Sequence, residues 1–191
     1  MPATVSQDGA FDEAVKGVDA IVHAASPIDL GLQEPEAFIR PAVRGTTGIL
    51  KSAQAHGPSV KRIVTLSSVG AVCSLTDYPS SEQPTGTQRV FTEADWNDDD
   101  VAATEKLGKD ADVANKYRAS KALAEKAAWE LCRDEAKSKG GLGWDLVTIC
   151  PPWVLGPALG VKAPEELGLS TGYWFQHTVK QSKLYPDTMK A

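Results

Sequence analysis

A tyrosine and a lysine four residues apart, Tyr117 and Lys121, have the types and spacing of a proton-donating pair. Positions i and i+4 of a helix share one face, with Cβ atoms about 5–6 Å apart. A phenol ordinarily ionises near pH 10, which makes it a poor acid at neutral pH. An ammonium about 4 Å away, at an effective dielectric near 20, favours the phenolate by roughly 4 kcal/mol. The pair is a candidate acid for a carbonyl oxygen; the alternative is a chance pairing on a helix surface.

Two polar residues near predicted element ends extend this candidate site. Ser68 follows a predicted strand, where its hydroxyl could hold a substrate carbonyl for protonation by Tyr117. Its alternative role is that of a turn or helix-capping serine, which is the commoner fate of a single serine. Asn115, two residues before Tyr117, is interpreted as the cap of the helix that carries the pair.

The elements that must position these residues alternate between short apolar runs and helical patterns, which is typical of βαβ units. The predicted strands are residues 19–25, 60–66 and 145–150. The predicted helices are residues 8–17, 35–56 and 117–137. Strands that are almost continuously apolar are buried on both faces of a parallel sheet. In such a sheet the ligand crevice lies beyond the carboxyl ends of the strands, which restricts the site to residues 24–27, 67–71 and 151–157.

Composition narrows the classes of partner. The formal charge of −5 over 191 residues argues against nucleic acid or an anionic membrane as the main partner. The acidity is concentrated in residues 76–112, where the run Asp98-Asp99-Asp100 is interpreted as a solvated loop and not as a metal site. Three cysteines without metal-type spacing predict no metal and suit a reducing cytoplasm. We expect no signal peptide and no membrane span.

The segments that carry these residues together resemble the extended short-chain dehydrogenases/reductases of the NAD-dependent epimerase/dehydratase superfamily. Within that superfamily they are most similar to plant dihydroflavonol and cinnamoyl-CoA reductases and to yeast-type ketone and aldehyde reductases. The matching segments occur in the family's order. They are residues 10–17, 23–27, 60–72, 91–97, 115–129 and 151–157.

The resemblance implies NAD(P)H-dependent reduction of an aldehyde or ketone to an alcohol. In that reaction it implies that Tyr117 is the general acid and that Ser68 orients the substrate carbonyl. It also implies that Lys121 lowers the pKa of Tyr117 and binds the nicotinamide ribose. The cofactor-binding residues that it implies are Ala24, Ala25, Ser26, Ser67, Tyr117, Lys121, Pro151 and Val154. NADP(H) is expected in preference to NAD(H), because it is the commoner cofactor among such relatives. The expected partner is a small carbonyl compound, and an oligomer is compatible with the sequence.

The family's glycine-rich phosphate-binding turn, G-x-x-G-x-x-G, has no match in this sequence. We therefore expect an α/β fold: a partial Rossmann-type, doubly wound parallel sheet that lacks the first β-α-β unit and is a fragment of a longer enzyme. Residues 1–157 are predicted as the incomplete NAD(P)-binding domain, with residues 76–112 as an acidic polar insertion or loop. Residues 158–191 are predicted to begin a small substrate-binding region.

Two alternatives stay open. One is a nucleotide-sugar epimerase or dehydratase with the same Ser-Tyr-Lys arrangement. The other is a non-catalytic, dinucleotide-binding regulatory protein. Residues 91–97 and 151–157 fit the reductase branch better than the epimerase branch.

Overall fold

The computed structural model describes residues 5–26, 28–29, 31–77, 89–137 and 141–180. The chain divides into two compact units, Met1–Cys150 and Pro151–Ala191. Residues 78–88 of the predicted acidic insertion and residues 181–191 of the predicted substrate region lie outside the described residues. The assignment of the units to cofactor and substrate binding stays a prediction.

The first unit is built on a parallel sheet of three strands. The strands are β1 (Ala20–His23), β2 (Arg62–Leu66) and β3 (Asp145–Ile149), in the order β1-β2-β3. Ile21 lies opposite Ile63, and Ile63 lies opposite Leu146, so one apolar row crosses all three strands. The predicted α/β fold with a parallel sheet is confirmed, although each strand is shorter than its apolar run.

Helices cover the face of the sheet that carries this row. They are α1 (Pro35–His56) and α3 (Val113–Ala136), and a further helix, α2 (Asp98–Leu107), packs on α3. Both strand-to-strand crossovers advance in the same direction, and right-handed crossovers of that kind place their helices on the same face. Accordingly α1 packs on α3. Leu50 of α1, Ile63 of β2 and Ala128 of α3 meet there in one fully buried core.

The opposite face of the sheet differs from the expectation that both faces are buried. Val22 is 70% exposed, and Val147 and Ile149 are also exposed on that face. The physical reason is the common hand of the two crossovers, which puts α1 and α3 on the other side. Within the described part of the first unit, the helices α1 and α3 therefore cover one face only.

Residues 8–17 form consecutive turns, so the prediction of a helix there is wrong. Gly9 and Gly17 adopt φ values of 75° and 71°, which belong to the left-handed region and do not continue a right-handed helix. The segment still packs well: Val15 is 1% exposed, and Phe11 packs against the same core. Apolar spacing thus predicted the contact but not the backbone conformation.

Part of the acidic segment that was expected to be a loop is helical. Asp98, Asp99 and Asp100 form the first turn of α2, and the side chain of Asn97 caps it by accepting a hydrogen bond from the Asp100 amide. Carboxylates at a helix N-terminus are stabilised by the unpaired amides and the helix dipole. Asp100 is only 5% exposed, so the interpretation of this run as a solvated loop is wrong.

The second unit is described here by itself. Residues 151–160 contain neither helix nor strand, and a 3₁₀ turn follows at Pro164–Glu166. Helix α4 (Leu169–Trp174) continues directly into a π-helical turn at Phe175–Lys180. Trp153 stacks on Tyr173 with ring centroids 5.0 Å apart.

None of the helices in the described ranges combines the length and the apolar character that crossing a membrane requires.

The contrast between the two faces of the sheet gives a stability prediction. We expect Ile63→Ala to lower the free energy of unfolding by about 2–5 kcal/mol, because Ile63 is completely buried beneath α1 and α3. Val22→Ala, on the exposed face of the neighbouring strand, should lower it by less than about 1 kcal/mol. Urea denaturation followed by circular dichroism measures both. Equal losses for the two variants would contradict this description of the core.

Candidate functional site

Helix α3 presents Tyr117 and Lys121 on one face, as their spacing predicted. The ammonium nitrogen of Lys121 lies 5.8 Å from the centroid of the Tyr117 ring. Lys121 is only 7% exposed, and this burial lowers the pKa of its ammonium group below the ordinary value. The helix is rich in Ala, Leu, Glu and Lys, which are strong helix formers, and its inner face is packed against α1.

Ser68 follows the carboxyl end of β2 and caps a 3₁₀ turn at Val69–Ala71. Its Oγ atom accepts a hydrogen bond of 3.0 Å from the amide of Gly70. The capping role considered for this serine is therefore present in the structure. The bond uses a lone pair of the oxygen and not the hydroxyl proton, which stays chemically able to donate to another acceptor.

The turn that follows Ser68 packs against α3. Arg118, the residue after Tyr117, donates a hydrogen bond of 2.8 Å to the carbonyl of Cys73. This contact brings the chain segment that contains Ser68 to the first two turns of the helix that carries Tyr117 and Lys121.

A small, open cavity lies beside Lys121, at the carboxyl ends of β1 and β2. Four of the predicted site residues line it, namely Ala25, Ser26, Ser67 and Lys121. In the described part of the chain, Ala24, Ser68 and Tyr117 are not among its lining residues. Ser68 nevertheless directly follows the lining residue Ser67 in sequence, and Tyr117 lies one helical turn before the lining residue Lys121.

Pro151 and Val154 belong to the second unit, whereas the cavity is formed by residues of the first. Their assignment to the nicotinamide side of the site stays a prediction.

His23 also lines the cavity. It is 7% exposed, and the edge of its ring meets Phe11 at a centroid distance of 5.6 Å. Burial, and secondarily the charge of Lys121, lower the pKa of His23, which keeps its imidazole neutral at neutral pH. Its Nε2 atom is buried without a hydrogen-bond partner among the described residues.

Glu125 is one of the cavity residues that sequence reasoning missed. It lies one turn beyond Lys121 and is 8% exposed. Its carboxylate accepts hydrogen bonds from Ser67 Oγ at 2.5 Å, from Trp129 Nε1 at 3.3 Å and from Cys150 Sγ at 3.4 Å. Its spacing of four residues from Lys121 was the available signal, because i and i+4 share a face.

The sequence suggested that Asn115 caps α3. This is wrong, because the helix begins two residues earlier at Val113. The side chain of Asn115 instead donates a hydrogen bond of 2.9 Å to Asp100 in the first turn of α2. The Asn115 side chain thus bonds to Asp100, which is distant in sequence, and not to the local backbone as a helix cap would.

The chemistry of the cavity suits a ligand that is rich in hydroxyl groups. The ammonium of Lys121 can donate, and the carboxylate of Glu125 can accept. Nε2 of His23 is a buried polar atom without a partner in the described part of the chain. Sugar hydroxyls donate and accept at once, so they satisfy such a mixed set. The residues present therefore fit the ribose end of a nicotinamide cofactor. In the described ranges, no cluster of three or more His, Cys, Asp or Glu side chains could hold a metal ion.

The chain is similar to known proteins over most of its length. The NAD-binding family model described as "Male sterility protein" matches residues 7–154. A ketoreductase of Aspergillus niger is 33% identical over 157 residues, which is 80% of this chain and 40% of that protein. A dihydroflavonol 4-reductase of Arabidopsis thaliana is 31% identical over 166 residues, which is 86% of this chain and 38% of that protein.

Among solved structures, Gre2 of Candida albicans in complex with NADPH superimposes with a TM-score of 0.65 at 28% identity. The match covers 86% of this chain and 44% of that one. This chain thus spans about two fifths of the length of the curated relatives that it matches.

The environment of Cys150 gives a prediction about its reactivity. Burial, followed by the negative charge of Glu125, raises the pKa of its thiol to about 11. At pH 9 a thiol with the usual pKa of 9.0 is about half ionised, whereas Cys150 should be about 1% ionised. We expect iodoacetamide to alkylate Cys150 in the folded chain roughly fiftyfold more slowly than in urea, because the thiolate is the nucleophile. Mass spectrometry of the peptide that contains Cys150, sampled over time, measures both rates; equal rates would contradict the buried bond to Glu125.

Proposed function

This chain belongs to the NAD-binding family described as male sterility protein, and we propose that the protein reduces an aldehyde or ketone to an alcohol with NADPH. The observation that carries the proposal is the placement of Lys121, Ser67, Ala25 and Ser26 around one cavity at the strand ends. Tyr117 lies beside Lys121 on the same helix face.

The names of the relatives support a carbonyl substrate. A ketoreductase and a dihydroflavonol 4-reductase each match at least four fifths of this chain. The Candida albicans structure contains NADPH, which supports NADPH over NADH. The relatives are more than twice as long as the matched segment, so the reaction is proposed for the protein as a whole.

Three side chains of this protein would act on the substrate carbonyl. Ser68 donates its hydroxyl proton in a hydrogen bond to the carbonyl oxygen and holds it beside Tyr117. Tyr117 transfers its phenolic proton to that oxygen as negative charge develops on it. Lys121 stabilises the negative charge left on the phenolic oxygen through its nearby ammonium group.

NADPH, when bound, supplies the hydride that reduces the carbonyl carbon. Lys121 and His23 would hold the ribose, since both line the cavity and Nε2 of His23 has no hydrogen-bond partner among the described residues. Ala25 and Ser26 would line the cofactor at the end of β1, and Ala24 would adjoin them. Pro151 and Val154 are proposed to face the nicotinamide ring from the segment that follows β3.

Tyr117→Phe removes the phenolic hydroxyl and leaves the ring in place. We expect kcat to fall by about 10²–10⁴-fold, because the general acid is lost. The dissociation constant for NADPH should change less than about twofold, because the ring and Lys121 stay in place. An aldehyde-dependent assay at 340 nm and a fluorescence titration with NADPH measure the two quantities in the active protein. Turnover retained in Tyr117→Phe would refute the assignment of the acid.

Lys121→Ala should weaken both turnover and NADPH binding, because the ammonium faces the phenol and the cavity. In the unsubstituted protein the pH dependence follows from the lowered pKa of Lys121. The charged form predominates at low pH and is lost as the pH rises through that value, so turnover should decline on the alkaline side below pH 10.5. A profile of kcat against pH measures this, and a Lys121→Ala variant with unchanged NADPH affinity would contradict the ribose assignment.

A further inference from the structure

The chain segment after Ser68 is anchored by Asn97 in addition to Arg118. The amide nitrogen of the Asn97 side chain lies 2.8 Å from the carbonyl oxygen of Gly70 and 3.0 Å from that of Cys73. The backbone amide of Asn97 donates a further bond of 2.9 Å to the carbonyl of Ala71. Asn97 is 3% exposed, so these bonds are made away from solvent. The side-chain and backbone nitrogens of Asn97 thus contact three carbonyls of a short turn, and Arg118 donates a second bond to the carbonyl of Cys73.

A buried carboxylate connects Asn97 to the helix that carries Tyr117. Asp100 is 5% exposed, and its Oδ2 atom accepts a bond of 2.7 Å from the Asn97 side chain. Its Oδ1 atom accepts a bond of 2.9 Å from the side chain of Asn115, two residues before Tyr117. The Asn97–Asp100–Asn115 network therefore runs from the turn after Ser68 to the first turn of α3.

The other side of the same turn rests directly on α3. A Cβ atom built on Gly70 would lie 2.9 Å from Cγ of Arg118 and 3.3 Å from Oγ of Ser68. The backbone at Gly70 is thus packed between the Ser68 hydroxyl and the residue after Tyr117, with no room for a methyl group. A small shift of this turn would change the distance between Ser68 and Tyr117.

We propose that the Asn97–Asp100–Asn115 network is a positioning device that holds the Ser68 hydroxyl at the correct distance from Tyr117. The proposal rests on the proposed function, because it assigns these residues an effect on the same reaction. A buried carboxylate is weak support for stability alone, since its desolvation offsets much of what its hydrogen bonds contribute. Its bonds are directional and charge-assisted, which suits it to fixing one geometry.

Asp100→Asn tests the network with little change in shape. One of its two acceptor oxygens becomes an amide that faces the donating amide of Asn97 or of Asn115, so one bond is lost. We expect kcat to fall between about tenfold and a hundredfold, the effect of a displacement of about 1 Å at a reacting group. NADPH affinity should stay within about twofold, because Asp100 does not line the cavity. Asp99→Asn is the matched control, since it removes the same charge from the same helical turn at an exposed position and should leave kcat unchanged.

A double-mutant cycle with Ser68→Ala separates positioning from general damage. If the network acts through Ser68, Asp100→Asn should reduce kcat by less than about twofold when Ser68 is already alanine. If both substitutions reduce kcat by independent factors that multiply, the network does not act through Ser68 and the inference is overturned. Should Asp100→Asn fail to fold, Asn115→Ala removes only the link to α3 and enters the same cycle.

The same cycle distinguishes failure of this inference from failure of the proposed function. Full activity in Ser68→Ala alone would refute the role of Ser68 in the reaction, and with it the positioning role. A strong loss in Ser68→Ala, together with full activity in Asp100→Asn, would leave the reaction intact and reject the network. Kinetics with a saturating aldehyde and NADPH, with the unfolding midpoint of each variant as a check on folding, provide all of these comparisons.

Discussion

The site depends on one buried carboxylate that must be satisfied by hydrogen bonds. Glu125 is 8% exposed on α3, and an unsatisfied charge there would be strongly destabilising. Its donors are Ser67 at the end of β2 and Cys150 at the end of β3, together with Trp129 of its own helix. The requirement therefore ties the carboxyl ends of two strands to the helix that carries the proposed acid. These hydrogen bonds fix the sheet and α3 relative to each other beside the cavity.

Ser68 lies between two points at which hydrogen bonds anchor the chain. Ser67 fixes it from the N-terminal side through Glu125, and Asn97 fixes the turn on its C-terminal side through three carbonyls. Both anchors lead to α3, one directly and one through Asp100 and its bond to the first turn of the helix. A serine hydroxyl at a strand end would otherwise follow the mobility of its loop. Here its position is set by polar contacts on both flanks, which is what orienting a reacting carbonyl requires.

Local patterns predicted the three strands and helices α1 and α3, but not α2, the turns at residues 8–17 or the tertiary polar contacts. Apolar spacing and terminal prolines gave the bounds of α1, Pro35–His56, because both signals are written in the local sequence. The local sequence predicts a solvated loop at residues 98–100. It does not show that the buried Asp100 accepts hydrogen bonds from Asn97 and from Asn115 of a different helix. The spacing of Tyr117 and Lys121 predicted their shared face, whereas no local pattern indicated that Ser67 would bond to Glu125. Secondary structure follows short-range rules, but burial of a charge is decided by residues far apart in sequence.

Burial affects the proposed role of Lys121 in two opposing ways. Removal from water lowers the pKa of the ammonium and so limits the pH range in which the charge exists. The same removal from water reduces dielectric screening, so the charge that does exist acts more strongly on the Tyr117 ring 5.8 Å away. His23 stays neutral beside it because burial and the lysine lower its own pKa, so it adds no competing positive charge. A fully exposed lysine would keep its charge over a wider pH range, but water would screen its effect on the phenol. For the proposed proton donor at neutral pH, the partly desolvated lysine is therefore more effective than an exposed one.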